Sequence, residues 1–294
     1  MALSYHLNTK KTISFEDFIN EINGIIEPDN DQSLIGCVES LQKLSNNREF
    51  LSEYLHRGLK EFATFQEDNR YNCDIFIMHK HPLYLIRCVL WNAQPQEVQR
   101  QKKQEDIYHT LRAHDHNFSF LTVGYLNDGY ETDIWEYDND KVIGYIGEKV
   151  DLKYLERTNL EQGKAMLYRA SKDIHAQHPP KEQAVSLNIM YNDPRMINQE
   201  QYYFDIKNGV IDSHVSAAGS GRHLILELAK IYGDSQSIDL IEQIARKHKY
   251  PHIRIKAYDT LAHLTNEKQS IWGSLVNDSD RVVSGYARQF LNQP

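Results

Sequence analysis

The spacing of apolar residues divides the chain into three stretches. From residue 14, apolar residues recur at helical intervals, as in SFEDFINEINGII at 14–26, which starts with a residue type that caps helices. From about residue 73 the pattern changes to short runs rich in β-branched and aromatic residues, broken by Gly, Pro, Asn and Asp. Such runs at intervals of roughly ten residues are typical of strands in a sandwich or barrel. After the small-residue segment SHVSAAGSG at 213–221, helical spacing returns.

These patterns predict an α+β fold in three parts. Residues 1–72 are expected to form N-terminal helices that pack on a β-barrel, residues 73–213 to form the barrel, and residues 222–294 to form an all-helical C-terminal subdomain. The charged, glutamine-rich run at 94–106 is predicted to be a helix, a mobile lid or a solvated connector.

The C-terminal stretch contains an internal repeat. An apolar residue, a small residue and a leucine recur at four-residue steps, first as Ile253, Ala257 and Leu261 and then as Val283, Ala287 and Leu291. Alanine at the middle position lets a neighbouring helix approach closely, as in stacked helix pairs. The segment resembles HEAT-type repeats, and the alternative is an ordinary helical subdomain that caps the barrel.

Composition narrows the classes of protein to consider. The chain has 294 residues, 40% of them hydrophobic, and a formal net charge of −8, which argues against broad binding to nucleic acids or anionic membranes. Its three cysteines are widely spaced and indicate a reducing compartment. The first residues lack the apolar run of a signal peptide, and no run has the length of a membrane span. We therefore expect a soluble, cytoplasmic protein.

Two histidines stand out in the segment RAHDHNFSFLTVGYLNDGYETDIWEYD at 112–138. In a strand, residues two apart share a face, so His114 and His116 are predicted to point the same way as Phe118 and Phe120. The sequence Asn-Asp-Gly at residues 127–129 is typical of a tight hairpin turn between two paired strands.

Pairing across that hairpin predicts the rest of the face. It would bring four residues of the second strand beside the histidines: Glu131, Asp133, Trp135 and Tyr137. Because this face is rich in aromatic residues, we expect it to point inward.

Buried imidazoles need partners for both nitrogens, and one metal ion would satisfy two adjacent ones. A third ligand is expected from another inward-facing strand. The segment RASKDIHAQHPP at 169–180 offers His175 and, as its rival, His178. Three neutral imidazoles leave coordination positions open for substrate and dioxygen, which non-heme iron chemistry requires.

HxH on one strand, followed about sixty residues later by a histidine on a second strand, resembles the cupin superfamily. The HDH sequence within an aromatic strand resembles its three-histidine thiol dioxygenases in particular. The resemblance implies a small β-barrel over residues 73–212 with an Fe(II) centre, in which His114 and His116 match HxH and His175 matches the later histidine. A glutamate ligand that many cupins place shortly after HxH is replaced here by the apolar and hydroxyl residues at 120–122.

Further site residues follow from this interpretation. Whichever of His175 and His178 is not a ligand is expected to bond to a ligand or to move protons, and we assign that catalytic role to His178 together with Tyr168. Arg112 and Arg169 are candidates to bind a substrate carboxylate, with a surface ion pair as the alternative for each. Glu131 is a candidate for a further ligand or, alternatively, a carboxylate at the barrel rim.

The predicted function is that of an Fe(II)-dependent cupin oxygenase acting on a small polar metabolite, such as an amino acid or a thiol derivative. The HxD/E…H triad that 2-oxoglutarate enzymes typically use is missing, so no 2-oxoglutarate is expected. The alternatives are a metal-sensing or scaffolding protein that binds partners through its C-terminal helices, and a metal-dependent isomerase or hydrolase. The expected partners are a small-molecule substrate and dioxygen, with a homo-oligomer left open.

Overall fold

The computed structural model describes residues 3–28, 30–69, 71, 74–93, 112–192, 196, 199–215 and 220–292. The run at 94–106 lies outside these residues. The chain forms two compact units, the first comprising Met1–Tyr137 and Asp151–Met196 and the second Asp138–Val150 and Ile197–Pro294. None of the helices in the described ranges is long and apolar enough to span a membrane.

Four helices open the first unit, as the helical spacing of its apolar residues predicts. They are α1 (Phe15–Asn23), α2 (Asp31–Gly36), α3 (Val38–Asn46) and α4 (Phe50–Lys60). Ser14 caps α1, because its hydroxyl oxygen accepts a hydrogen bond of 3.1 Å from the backbone N–H of Asp17.

The first unit also contains two antiparallel sheets. Six strands form the first sheet in the spatial order β1 (Leu3–His6), β8 (Lys164–Tyr168), β5 (Phe120–Leu126), β10 (Ala184–Tyr191), β3 (Tyr84–Trp91) and β2 (Ile75–Lys80). Within this unit, the second sheet has the order β4 (Ala113–His114), β9 (Asp173–His178), β6 (Glu131–Glu136) and β7 (Lys153–Asn159).

The first sheet is buried on both faces. One face packs against the N-terminal helices, where Phe18 and Leu41 contact a core that includes Leu121 of β5. The other face turns toward the second sheet, so that Met166 of β8 and Ile134 of β6 share one core. The two sheets therefore enclose an interior between them, and the expected α+β fold, with N-terminal helices packed outside the strands, is confirmed.

The second unit is built mainly from helices. A strand pair, β11 (Tyr202–Asp205) and β12 (Val210–His214), precedes α5 (Ser220–Tyr232), α6 (Ser235–Lys247), α7 (Pro251–Thr265), α8 (Lys268–Leu275) and α9 (Arg281–Leu291). Ala257 on α7 and Ala287 on α9 are fully buried at helix contacts, as their place in the repeat predicts. In this division, the N-terminal helices belong to the same unit as the strands of the two sheets, and β11 and β12 belong to the unit of the C-terminal helices.

The predicted hairpin at residues 127–129 is wrong. β5 pairs with β8 and β10 in the first sheet, whereas β6 pairs with β7 and β9 in the second. Asn127 and Gly129 have φ of 59° and 68°, as a tight turn requires, but the turn carries the chain from one sheet to the other. Its backbone instead bonds to a neighbouring segment, since Asn127 O accepts from Gln162 N (3.2 Å) and Tyr130 O from Leu160 N (3.0 Å).

Candidate metal centre

Three histidines from two segments converge at the barrel interior. His114 ends β4, His116 follows it by two residues, and His175 lies on β9 directly opposite His114 in the strand register. One potential ligand atom of each lies within 4.8 Å of those of the other two. Within the described part of the chain, no other group of three such residues meets this condition. The spacing of HxH and the later histidine thus predicted the convergence.

The protonation of the imidazoles suits metal ligation. His114 Nδ1 lies 2.9 Å from the carbonyl oxygen of Arg112, which places the proton on Nδ1 and the lone pair on Nε2 in the neutral ring. His175 is 1% exposed, and its Nδ1 has no hydrogen-bond partner in the described structure. Burial lowers the pKa of His175 well below its usual value, with further lowering by His114 and Arg87. A neutral, buried imidazole with an unsatisfied nitrogen fits a metal ion.

The segment around HxH is fixed by its own hydrogen bonds. Asp115, between the two histidines, is fully buried and accepts a bond of 2.6 Å from the hydroxyl of Tyr137. The carbonyl oxygen of His116 accepts a bond of 2.7 Å from the backbone N–H of Ser171. These bonds hold His116 in place although β4 has already ended at His114.

Aromatic rings surround the triad. The ring of His116 lies 4.8 Å from that of Phe118 and 5.1 Å from that of Phe120, measured between centroids. Phe120 stacks on Tyr168, whose ring lies 4.6 Å from that of His175. The prediction that the histidines and phenylalanines share one interior face is therefore confirmed, although a break between β4 and β5 separates them.

Tyr168, predicted as a catalytic residue, lies beside the triad. It is 1% exposed, and its hydroxyl makes no hydrogen bond of normal geometry within the described ranges. Burial raises the pKa of Tyr168 well above its usual value, and the neighbouring hydroxyl of Tyr130 raises it further. The phenol is therefore neutral, and its hydroxyl lies in the interior beside that of Tyr130.

His178 lies elsewhere than predicted. His175 and His178 are three residues apart on β9, so their side chains leave opposite faces of the sheet. His178 Nε2 contacts Asp133 at 2.7 Å on the partly exposed face. His178 is therefore not in the group of three histidines, in which it was the rival of His175 for the third position. The Pro-Pro pair that follows it leaves the strand alternation as far as His178 intact.

The two predicted substrate arginines also have different surroundings from those expected. The guanidinium of Arg169 binds both carboxylate oxygens of Asp173, with Nε and Nη2 donating at 2.9 and 2.6 Å. It therefore belongs to a largely buried ion pair, whereas the alternative considered for it was an ion pair at the surface. Arg112 is exposed just before β4, and its backbone carbonyl, as noted, orients His114.

The predicted inner face of β6 is wrong by one residue. Thr132 and Ile134 are buried, whereas Glu131, Asp133 and Trp135 point to the more exposed side. Glu131 is half-exposed there and accepts a bond of 3.0 Å from Arg157. The error follows from the hairpin assumption, since strand faces alternate and a shift of one residue exchanges them.

A partly buried arginine was missed. Arg87 on β3 alternates with Ile86 and Cys88, which face the helices, and so shares the interior face of Val89 and Trp91. Its positive charge contributes to the lowered pKa of His175, which places it near the triad.

The neighbours of Arg87 are neutral. With its amide oriented to satisfy the surrounding groups, Asn188 accepts from Arg87 Nε at 3.0 Å and donates to Thr122 Oγ1 at 2.7 Å. Tyr71 and Tyr130 are the other polar neighbours, and within the described residues no carboxylate forms an ion pair with Arg87. The sequence signal was a single charge inside the otherwise apolar strand YLIRCVLW.

No protein family and no curated protein matches the sequence. Solved structures with similarity include salicylate 1,2-dioxygenase from Pseudoaminobacter salicylatoxidans with gentisate, at 11% identity over 47% of this chain and 31% of that chain (TM-score 0.25). A hydroquinone 1,2-dioxygenase in complex with Cd2+ and 4-hydroxybenzonitrile matches at 13% identity over 43% and 69% (TM-score 0.27).

A Klebsiella pneumoniae protein with a double-stranded beta-helix domain matches at 8% identity over 42% of this chain and 78% of that chain (TM-score 0.24). This chain spans 31–34% of the salicylate dioxygenase chains that it matches. At TM-scores of this size we transfer no activity from these proteins to this chain.

Proposed function

We propose that this protein is an Fe(II)-dependent cupin-type oxygenase that oxidises a small carboxylate-bearing metabolite, such as an amino acid or a thiol derivative, without 2-oxoglutarate. The observation that carries the proposal is the convergence of His114, His116 and His175 in an aromatic interior. Fe(II) held by these three imidazoles would supply open coordination positions for a substrate and for dioxygen.

The protein's own residues would prepare that site. The bond between His114 Nδ1 and the carbonyl of Arg112 fixes the ring and its tautomer, so that Nε2 points inward. Phe118 and Phe120 place apolar rings against one side of His116. Low-polarity surroundings strengthen the electrostatic contacts that a bound substrate makes.

Arg87 supports an anionic substrate. A guanidinium keeps its proton at physiological pH, and this one is surrounded by neutral partners on the interior face of β3. A substrate carboxylate would supply the missing negative charge and accept two parallel hydrogen bonds. We therefore assign to Arg87 the anchoring role that the sequence had suggested for Arg112 and Arg169.

Tyr168 would act next to the reacting part of the substrate. Its hydroxyl is buried beside that of Tyr130, and its raised pKa keeps the proton on the phenol. It would therefore donate a hydrogen bond to a negatively charged or polar substrate atom beside His175.

An oxygen-electrode screen tests the proposal. The full chain, loaded anaerobically with Fe(II), would be mixed with amino acids and thiol carboxylates and, as matched controls, with their amides. We expect oxygen uptake with at least one carboxylate and none with its amide. His116→Ala should abolish the uptake. Arg87→Met should raise KM by about 10- to 100-fold, which corresponds to the loss of one hydrogen-bonded pair between charged groups.

Arg157→Gln is the control for loss of a positive charge, because Arg157 is about half-exposed in an ion pair on β7. It should leave KM unchanged. Turnover without oxygen uptake, supported equally by Zn2+ or Mn2+, would instead identify an isomerase or hydrolase. A folded protein that retains no metal would leave the scaffolding role as the better explanation.

A further inference from the structure

The second unit contains a cavity that is separate from the three histidines. Its volume is about 410 Å³, and all of its lining residues belong to the segments 138–150 and 197–294. Cavities of this size hold small organic molecules. Trp272, Tyr286 and Phe290 supply aromatic walls, while Glu200, His214 and His252 supply the polar side.

The carboxylate of Glu200 lacks a strong partner. Its side chain is 14% exposed, and its basic neighbours within 4.0 Å in the described structure are two histidines. The distances from its oxygens are 3.6 Å to His214 Nδ1 and 4.0 Å to His252 Nδ1, both longer than a hydrogen bond. Burial lowers the pKa of His252, so this ring is neutral at alkaline pH.

His214 is held by another group. Its Nε2 lies 2.7 Å from the carbonyl oxygen of Gly144, which also accepts a bond of 2.8 Å from the hydroxyl of Tyr286. Gly144 has a φ of 99°, which the loop that presents this carbonyl requires. The imidazole is therefore oriented toward the loop, and the Glu200 carboxylate is left facing the cavity.

Each of the other Lys, Asp or Glu side chains of the lining forms an ion pair with a residue outside the lining. Lys256 forms an ion pair with Glu227, and Asp259 forms one with Lys230 at 2.6 Å. Glu200 thus carries the one negative charge of the lining that no Lys or Arg of the described chain balances. A largely buried carboxylate without a cationic partner is costly, and a cationic ligand would remove that cost.

A second, independent observation points to a ligand. Trp272 is 2% exposed, lines the cavity, and has an indole N–H without a hydrogen-bond partner in the described structure. Its ring stacks on Phe290 with 5.0 Å between centroids. Indole N–H groups normally find an acceptor when buried, so the wall of the cavity contains one unused donor in addition to the unbalanced charge of Glu200.

We propose that this cavity binds a small organic cation: an amine with an aromatic or apolar body and an oxygen acceptor, its ammonium group at Glu200 and its acceptor at Trp272. Aromatic walls favour such a ligand through apolar contact and through attraction between the cation and the rings. The inference is independent of the oxygenase proposal, because no residue is shared between the two sites.

Calorimetric titration of the full chain at pH 8 tests this, since ordinary histidines are neutral there. The probes are tyramine, which carries an ammonium group and a phenol oxygen, and tyrosol, in which a hydroxyl replaces the ammonium group. We expect tyramine to bind about 10- to 100-fold more tightly than tyrosol. This comparison needs no variant, and equal binding or no binding of the two probes would overturn the proposal.

Variants then locate the site. Glu200→Gln should remove the preference for tyramine, with circular dichroism used to check the fold. Glu242→Gln is the matched control, because Glu242 lies exposed on α6 in an ion pair with Arg246, and it should retain the preference. Trp272→Phe keeps an aromatic ring but removes the N–H, and it should weaken both probes by a similar factor. A Glu200→Gln protein that still prefers tyramine would place the cation elsewhere and contradict the assignment.

Discussion

His114 and His175 are direct partners across the β4–β9 pair, and their ring centroids lie 4.5 Å apart. Two imidazoles opposite each other in an antiparallel pair point to the same side of the sheet. His116 reaches the same point from the loop after β4, with its ring 5.0 Å from each of the other two. The site is therefore held by strand pairing on one side and by a short, hydrogen-bonded loop on the other.

This geometry predicts how metal content responds to mutation. His114→Ala, His116→Ala and His175→Ala should each remove most of the bound iron while keeping the circular dichroism spectrum, since two remaining imidazoles hold a divalent ion weakly. Plasma emission analysis of protein purified in parallel measures the metal.

His178→Ala and His56→Ala are the matched controls for the loss of a histidine. His178 leaves β9 on the other face, and His56 is exposed on α4. Both variants should bind as much iron as the unaltered protein. Full iron content in the His114→Ala, His116→Ala double variant would be incompatible with the triad as the metal site.

The ion pair of Arg169 should matter for stability. Asp173 has a side chain that is 0% exposed, and Arg169 binds both of its oxygens. Arg169→Gln leaves this carboxylate buried without a cation, so we expect the free energy of unfolding to fall by about 3 kcal/mol. Urea denaturation followed by circular dichroism measures the change.

An exposed ion pair provides the comparison. Arg157→Gln breaks a contact with Glu131 in which the two side chains are 48% and 54% exposed. Its effect should stay below about 1 kcal/mol, because solvent screens such pairs. Equal effects of Arg169→Gln and Arg157→Gln would mean that Arg169 is not structural, and the role of a substrate anchor would return to it.

Residues 112–138 show how far the sequence determines the site. The spacing of HxH predicted that His114 and His116 converge, because local alternation survives even where β4 ends. The partner strand was assigned wrongly, since nothing local distinguishes a turn that closes a hairpin from one that crosses between sheets. Arg87 escaped notice for a similar reason: its interior position depends on which side of β3 the helices cover, and only tertiary packing determines that.

The second unit should lose stability at acidic pH because of His252. Burial lowers the pKa of this imidazole, His214 and His223 lower it further, and Glu200 opposes them. The unfolded chain then binds a proton near pH 6.5 that the folded chain takes up only at lower pH, so the stabilising contribution is present above pH 6.5 and is lost as pH falls through the folded pKa.

Thermal unfolding of the metal-free chain at pH 8, 6.5 and 5 measures this loss. His252→Gln removes the titrating group, and we expect a smaller fall in melting temperature between pH 8 and pH 5 than in the unaltered protein. His263→Gln is the control, since His263 is exposed on α7. An unchanged pH dependence in His252→Gln would show that other groups control acid stability.

Two glycines on the C-terminal helices should respond in opposite ways to a methyl group. At Gly273 on α8, an added Cβ would meet no atom within 4 Å. Alanine loses less backbone entropy than glycine when a helix folds, so Gly273→Ala should stabilise the unit by about 0.5–1 kcal/mol.

At Gly285 on α9, an added Cβ would lie 2.6–2.9 Å from three carbons of the Ile143 side chain. Because these carbons belong to the body of that side chain, it must shift as a whole, and Gly285→Ala should destabilise by about 1–3 kcal/mol. Shortening the neighbour in a Gly285→Ala, Ile143→Ala double variant should recover part of the loss caused by Gly285→Ala alone, as measured by melting temperature. If Gly285→Ala stabilised the protein as Gly273→Ala does, Ile143 would not be packed against α9.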